Sequence, residues 1–287
     1  MITVGIATWN EKKTIGKVLD ILLDEDYGQG FEIIVVAGGN SIHVAEEYAK
    51  KNKNIILIKE IKRKGKPNAL NQIFKKANGK YIILVDGDVY LKNGFSKKLI
   101  NEFDDETGIV TSRPKPINSR NNIIGFWQHF LLDIAHKKRS NEKFIHAAGP
   151  LYAIKSGIIK TIRADTLADD ALISRMVFDK GWKIKYASNV IVKVKYPEKI
   201  RDWIIQKRRT ISGHHQINKW LGKEDWRSFS GEAKGIFSAF KYCKSIKEYL
   251  WMTKLIFFRT IVWILSYWDI ITKKDFMKIW KPIESAK

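Results

Sequence analysis

The sequence predicts an α/β protein: a Rossmann-like, mostly parallel sheet flanked by helices, with a helical, aromatic-rich extension at the C-terminal end. Three observations carry that expectation. Short β-branched runs alternate with apolar residues at helical spacing through the first half, as in a parallel sheet covered by helices. One apolar run, Tyr81 to Val85, stops abruptly in Asp86-Gly87-Asp88, as a buried central strand does when it delivers polar groups to its carboxyl edge. From about residue 216 onward the composition shifts to scattered tryptophans among lysines. The expected organisation is an α/β domain over 1–215 and a basic, aromatic helical extension over 216–287.

Ile2 to Thr8 reads as the first strand, and Lys12 to Leu23 as a helix with Ile15, Val18, Leu19 and Leu22 on one face. Glu32 to Val36 is a second strand, running into Ala37-Gly38-Gly39-Asn40-Ser41, expected to be a flexible turn before a helix carrying Val44, Ala45 and Tyr48. Asn54 to Ile58 is a third strand. Pro67 to Ala77 is a helix with proline in its first turn, where the missing N–H costs nothing. Beyond Tyr81–Val85, a Pro-containing segment (Arg113 to Pro116) precedes a helix over 123–136, a loop at Ala147-Ala148-Gly149-Pro150 and a strand from Leu151 to Ile154. An acidic pair, Asp169-Asp170, opens a helical pattern, and Ile200 to Gly213 is a basic helix.

In the extension, Leu255 to Trp268 is apolar but interrupted by Arg259 and flanked by Lys254 and Asp269. It is shorter than the ~20 residues that span hydrocarbon, so no transmembrane helix is expected. If Ile246 to Ile271 is one helix, Lys247, Glu248, Lys254, Arg259, Ser266 and Asp269 share one side and leave a broad aromatic and aliphatic face. That face suits either docking on the α/β domain or a membrane interface; the tryptophans and flanking lysines favour the headgroup region.

The formal charge of +22 on 287 residues points to anionic partners: nucleic acid, phospholipid headgroups or a phosphorylated substrate. One cysteine, Cys243, excludes an intramolecular disulfide, a thiolate zinc site and a CxxC redox pair. The chain enters a strand at once, without the pattern of a secretory leader, so secretion is not expected.

Asp86 and Asp88, two residues apart at a strand end, can turn to one point and share a hard cation. Mg²⁺ or Mn²⁺ held there keeps open positions for diphosphate oxygens and neutralises charge on a leaving nucleoside diphosphate. Asp-Gly-Asp is also ordinary turn chemistry; the buried strand before it favours the metal. Asp169 and Asp170 offer a general base, and as acids at a helix start they also complement its dipole. Gln206, Lys207, Arg208 and Arg209 form a cluster able to grip phosphates, and Lys62, Arg63, Lys64 and Lys66 around Gly65 form another. The six histidines show no zinc spacing; only His146 lies near a suspected active loop.

These segments, in this order, resemble a family-2 glycosyltransferase. Ile6-Ala7-Thr8-Trp9-Asn10-Glu11 is similar to the family's first strand and Pro-Thr-Tyr-Asn-Glu turn, and Lys66-Pro67-Asn68-Ala69-Leu70-Asn71 to its Gly-Lys…Ala-Leu-Asn segment. Asp86-Gly87-Asp88 sits where the DxD belongs, Gly149 to Ile154 resembles the acceptor-side loop, and Gln206 to Arg209 resembles Gln-x-x-Arg-Trp. Asp169-Asp170 with Leu172 and Arg175 resembles the Glu-Asp-x-x-Leu-x-x-Arg element. The resemblance covers residues 2 to about 213. It implies a GT-A fold and an inverting, single-displacement transfer from a nucleotide-sugar. Asp86 and Asp88 would then hold the metal and diphosphate, and Asp169 or Asp170 the base role; spacing to Leu172 and Arg175 favours the first, and order within the pair the second. Thr8, Asn10, Glu11, Gly38, Lys66, Gly149, Arg175, Gln206 and Arg209 are expected around the donor.

Ala37 stands where the family often has an Asp on the nucleobase, and Thr210 where processive members have Trp. Transfer of a single sugar is therefore expected, to a hydroxyl or phosphate of a lipid-linked or glycan acceptor such as a polyprenyl phosphate. The enzyme is expected in the cytoplasm, peripherally on the anionic inner face of the cell membrane, without a nucleic-acid partner. A nucleotidyltransferase lacks support because Ala7 to Lys13 is not a Gly-rich phosphate loop; a nucleic-acid-binding module accounts for the charge but leaves Asp86, Asp88, Asp169 and Asp170 unexplained.

Overall fold

The structure, a computed structural model, describes residues 1–141, 145–222 and 239–272. Its first half runs β1 (Ile2–Trp9), α1 (Lys12–Asp24), β2 (Phe31–Gly38), α2 (Ser41–Lys51), β3 (Ile55–Glu60), α3 (Lys66–Lys76) and β4 (Tyr81–Asp86). The second half continues with β5 (Val89–Tyr90), α4 (Phe95–Ile100), β6 (Thr107–Pro116), α5 (Ile123–Asn141), β7 (Leu151–Lys155), α6 (Asp169–Asp179), β8 (Lys183–Val194), α7 (Ile200–Leu221) and α8 (Ile246–Ile271). The strands form one sheet in the order β3-β2-β1-β4-β7-β6-β8-β5. The first four are parallel, β7 is antiparallel to both its neighbours, β6 and β8 are parallel, and β5 closes the edge antiparallel to β8. This is the predicted α/β architecture.

Alternation of side chains along the strands builds two cores on opposite faces. Val4, Ile6, Ile33 and Val35 pack with Ile15, Leu19 and Leu22 of α1 on one face. Ile34, Val36, Ile82 and Leu84 pack with Leu70 and Ile73 of α3 and with Leu172 and Val177 of α6 on the other. A third cluster belongs to helices alone, joining Trp127 of α5, Trp203 of α7 and Met252, Leu255, Val262 and Trp263 of α8. Within it the Trp127 indole donates to the Trp251 carbonyl at 2.7 Å and lies 5.0 Å from the Trp203 ring.

Several elements differ from expectation. β2 carries on to Gly38 because Ala37 and Gly38 pair with β1 on one side and β3 on the other, so the expected turn shrinks to Gly39 and Asn40 before α2 starts at Ser41. The segment containing Pro114 and Pro116 is the end of β6. Pairing with β7 stops at Thr111, so these prolines sit where only β8 needs the backbone, a place a strand tolerates them. α5 extends past His136 to Asn141, and α7 runs unbroken through residue 216 to Leu221.

The last helix is longer than the apolar stretch judged too short to cross a membrane. Ile246–Asp269 gives 24 residues of mean hydropathy 1.3, long and apolar enough by length and composition. Its polar side faces inward: Glu248 pairs with Arg120 at 3.2 Å, Asp269 with Arg208, and Ser266 is fully buried. Its outer side presents Ile246, Leu250, Phe257, Ile264, Trp268 and Ile271 to the surface. Trp226 and Trp280, counted with the extension's tryptophans, lie outside the described residues.

Candidate active site

The carboxyl edge of the parallel strands opens into a cavity of about 1030 Å³, walled on one side by strand ends and α3 and on the other by α5, α7 and α8. Thr8 and Glu11 line it. The Thr8 hydroxyl donates to Glu11 Oε2 at 2.7 Å, and the Glu11 amide donates to Ser41 Oγ at 2.8 Å, which ties the end of β1 to the start of α2. Asn10 and Gly38 stand behind the wall rather than on it. Asn10 takes a left-handed backbone (φ 58°) that asparagine tolerates, and its Oδ1 accepts the Asn40 amide at 2.9 Å. Gly38 leaves room for Trp9: a Cβ there would meet the indole Cε3 at 1.9 Å.

Lys66, at the first turn of α3, reaches across the sheet edge. Its Nζ donates to Asp86 Oδ1 at 2.6 Å and lies 3.5 Å from Asp169 Oδ2. Burial works against the ammonium charge, but Asp169 and Asp86 outweigh it and hold the lysine well above its ordinary pKa. Burial pushes the Asp86 carboxyl up against the pull of Lys66. Asp88 lines the same wall, and the Asp86-Gly87-Asp88 turn packs so closely on Glu11 that a Cβ at Gly87 would lie 2.3 Å from Glu11 Oε2. Carboxylate oxygens at two positions are donors that a hard divalent cation takes. Among the described residues no cluster of three or more His, Cys, Asp or Glu forms a metal site, so a cation on Asp86 and Asp88 would leave most of its positions to other oxygens. The donor set fits Mg²⁺ or Mn²⁺ shared with a diphosphate.

Asp169 and Asp170 open α6 and line the cavity together. Both oxygens of Asp170 are engaged by backbone: Oδ2 accepts the Gly149 amide at 3.2 Å and Oδ1 the Ala171 amide at 2.9 Å. Asp169 Oδ2 is buried with no hydrogen-bond partner among the described residues and faces Lys66. Burial, then the adjacent Asp169 charge, pushes Asp170 above the ordinary aspartate pKa. Arg209 approaches from α7; burial pulls it down to about 9 against Asp169, Asp170 and Asp86, so it is a cation at neutral pH. Gln206 lines the cavity beside it, with its buried Oε1 lacking a hydrogen-bond partner among the described residues.

Of the residues expected around the donor, the structure brings Thr8, Glu11, Lys66, Asp86, Asp88, Gly149, Asp169, Asp170, Gln206 and Arg209 to one cavity. Arg175 is not on its wall: its Nε donates to Asp179 at 3.1 Å along α6. Sequence reasoning passed over Trp9, Glu60 and Tyr152 as side chains of interest. Trp9 and Glu60 line the cavity, and the buried Tyr152 hydroxyl, pushed upward by burial, feels the charges of Asp169, Lys66 and Asp170. A tyrosine inside the otherwise apolar run Leu151 to Ile154 was the available signal.

Comparisons with known proteins identify the fold and the family. The mannosyltransferase PcManGT from Pyrobaculum calidifontis, in complex with GDP-Man and Mn²⁺, superposes with a TM-score of 0.66 at 18% identity, covering 95% of this chain and 87% of that one. Glucosyl-3-phosphoglycerate synthase from Mycobacterium tuberculosis, in complex with Mn²⁺, UDP and phosphoglyceric acid, superposes with a TM-score of 0.54 at 16% identity over 79% of this chain and 80% of that one. In sequence, the chain is 26% identical over 228 residues to poly-beta-1,6-N-acetyl-D-glucosamine synthase of Staphylococcus aureus, covering 75% of this chain. It spans about half the length of that relative, 55%. The family described as glycosyl transferase family 2 matches residues 3–180. With that match over more than half of its length, on a fold shared with nucleotide-sugar-dependent transferases, the chain belongs to glycosyl transferase family 2.

Proposed function

We propose that the protein is a metal-dependent, inverting glycosyltransferase that moves one sugar from a nucleoside-diphosphate sugar to a lipid-linked acceptor at the cytoplasmic face of a membrane. The observation that carries this reading is the Asp86–Lys66–Asp169 bridge, which sets a diphosphate-side carboxylate and a free-faced carboxylate within reach of one ammonium group. A divalent cation on Asp86 and Asp88 would neutralise the charge developing on the departing diphosphate. Lys66 and Arg209 supply further positive charge at the same wall. Asp169 takes the proton from an acceptor hydroxyl as its oxygen attacks the anomeric carbon opposite the leaving group, and configuration inverts because there is a single displacement. Asp170, with both oxygens on backbone amides, positions the Gly149 loop and the start of α6.

The far end of the cavity supports a lipid acceptor. Phe130, Leu131, Met252, Leu255, Ile256 and Trp263 make it apolar, and Lys207 and Arg259 give it cations for a phosphate. The outward apolar face of α8 supports attachment to the membrane from which such an acceptor would come. Transfer of one sugar per acceptor rests on Thr210, a small side chain on the cavity wall where processive relatives are expected to carry tryptophan.

Turnover of a panel of UDP- and GDP-sugars with Mn²⁺ or Mg²⁺ and a polyprenyl phosphate or glycolipid tests the reading. With a hydroxyl acceptor, Asp169→Asn is expected to cut kcat by about 10²–10⁴-fold while nucleotide binding persists, and Asp170→Asn to cut it less. Full activity in Asp169→Asn would remove the base assignment; absence of metal-dependent turnover with every donor would remove the function.

A further inference from the structure

The register of the parallel strands aligns Trp9, Gly38 and Glu60 in one row across β1, β2 and β3. By alternation, all three belong to the sheet face that packs on α3, the face of Val36, Ile58 and Leu84. Glu60 is 9% exposed and lines the cavity. Its Oε1 is buried and has no hydrogen-bond partner among the described residues. A buried acceptor left without a donor is destabilising, so its retention asks for a ligand that supplies one. The reaction chemistry at Asp86, Asp88 and Asp169 makes no use of Glu60.

The position of Glu60 suggests the ligand. β3 lies three strand spacings from β4, about 14 Å along the sheet edge. With its diphosphate at Asp86 and Lys66, a nucleotide can extend along this edge past β1 and β2, so that its base lies at β3. Trp9 and Arg63 complete that end of the cavity, with the guanidinium 5.8 Å from the indole centroid.

We propose that Glu60 reads the nucleobase as guanine, its carboxylate accepting from the ring N1–H and the exocyclic 2-amino group, and that the donor is therefore a GDP-sugar. The argument is one of donors and acceptors. Guanine presents two adjacent donors on one edge, which match the two oxygens of a carboxylate. Uracil presents one N–H between two carbonyl oxygens that a carboxylate repels, and adenine presents an amino group beside an acceptor nitrogen. A carboxylate has about four lone-pair sites, and with Oε1 unpartnered the group has capacity for both guanine donors. This assignment rests on the proposal that the cavity binds a nucleoside diphosphate.

Calorimetric titration of GDP, IDP and UDP with Mn²⁺, on the native chain and on Glu60→Gln, tests it. IDP lacks only the 2-amino group. On the native chain GDP is expected to bind tighter than either IDP or UDP by about tenfold or more. In Glu60→Gln that preference is expected to disappear, with UDP affinity kept or raised as the repulsion of its carbonyl oxygens is lifted, and UDP binding itself shows that the variant is folded. Equal binding of GDP and UDP by the native chain overturns the proposal whether or not the variant folds, as does a guanine preference that survives the substitution. If none of the three binds, the transferase reading falls with it; binding without a guanine preference removes this inference alone.

Discussion

Asp170 is an acid kept in a place that penalises its charge. Burial and the adjacent Asp169 raise its pKa above 3.8, so the folded protein binds this proton more tightly than the unfolded chain does. Ionisation therefore costs stability at pH values above the raised pKa, and the cost vanishes as pH falls through that value toward 3.8. Asp170→Asn is expected to raise Tm by a few degrees at neutral pH, with the advantage lost in acid; melting curves of both proteins across pH would show the two lines converge. A gain that persists in acid would mean the stabilisation is not electrostatic. The carboxylates themselves were legible in the sequence, since Asp86 and Asp88 are two apart and Asp169 and Asp170 adjacent. Their meeting through Lys66 was not, because it depends on the topology that carries α6 back over the edge of β4. The same holds for Glu60, whose lone oxygen becomes visible only once strand register sets it in a row with Trp9.

Among the elements, α8 is held by charge as well as by its aromatic core. Asp269 is 3% exposed and bonded by both Arg208 Nε and an Arg208 terminal nitrogen. Removing the cation leaves a buried carboxylate unpaired, so Arg208→Met is expected to cost roughly 3–5 kcal/mol in chemical denaturation, whereas the double variant Arg208→Met/Asp269→Met recovers much of it. No recovery would mean that packing and not charge is what Arg208 supplies. Helical periodicity showed that the polar residues of α8 share one side, but which side meets the protein is fixed by partners elsewhere in the fold, Arg120 in the turn before α5 and Arg208 on α7. The strands of the second half were harder to read for a different reason. Pro114 and Pro116 disguised β6, and in β8 the buried Val190, Val192 and Val194 alternate with the exposed Ile191 and Lys193 only over its last turns of pleat.

At the scale of the whole molecule, the proposed membrane attachment would draw on a charge of +22 and an apolar helix face together. Cationic surface would give salt-sensitive attraction to anionic lipid, and the exposed Phe257 and Trp268 would add burial that salt does not screen. In co-sedimentation with phosphatidylglycerol vesicles the chain is expected to bind, with Phe257→Ser/Trp268→Ser releasing it at moderate salt; unchanged binding by that variant would take α8 out of the membrane proposal. The cleft also joins two halves of the fold through one side chain, since Lys66 comes from the start of α3 and Asp169 from the start of α6. One ammonium group has three donors, and a diphosphate arriving at Asp86 competes for them. Asp169 would then share less of the Lys66 charge, keep the influence of Arg209 and become a freer proton acceptor. On the proposed function, Lys66 would act as an interlock that makes the order of arrival matter: donor first, then acceptor, with the base freed by one substrate to act on the other.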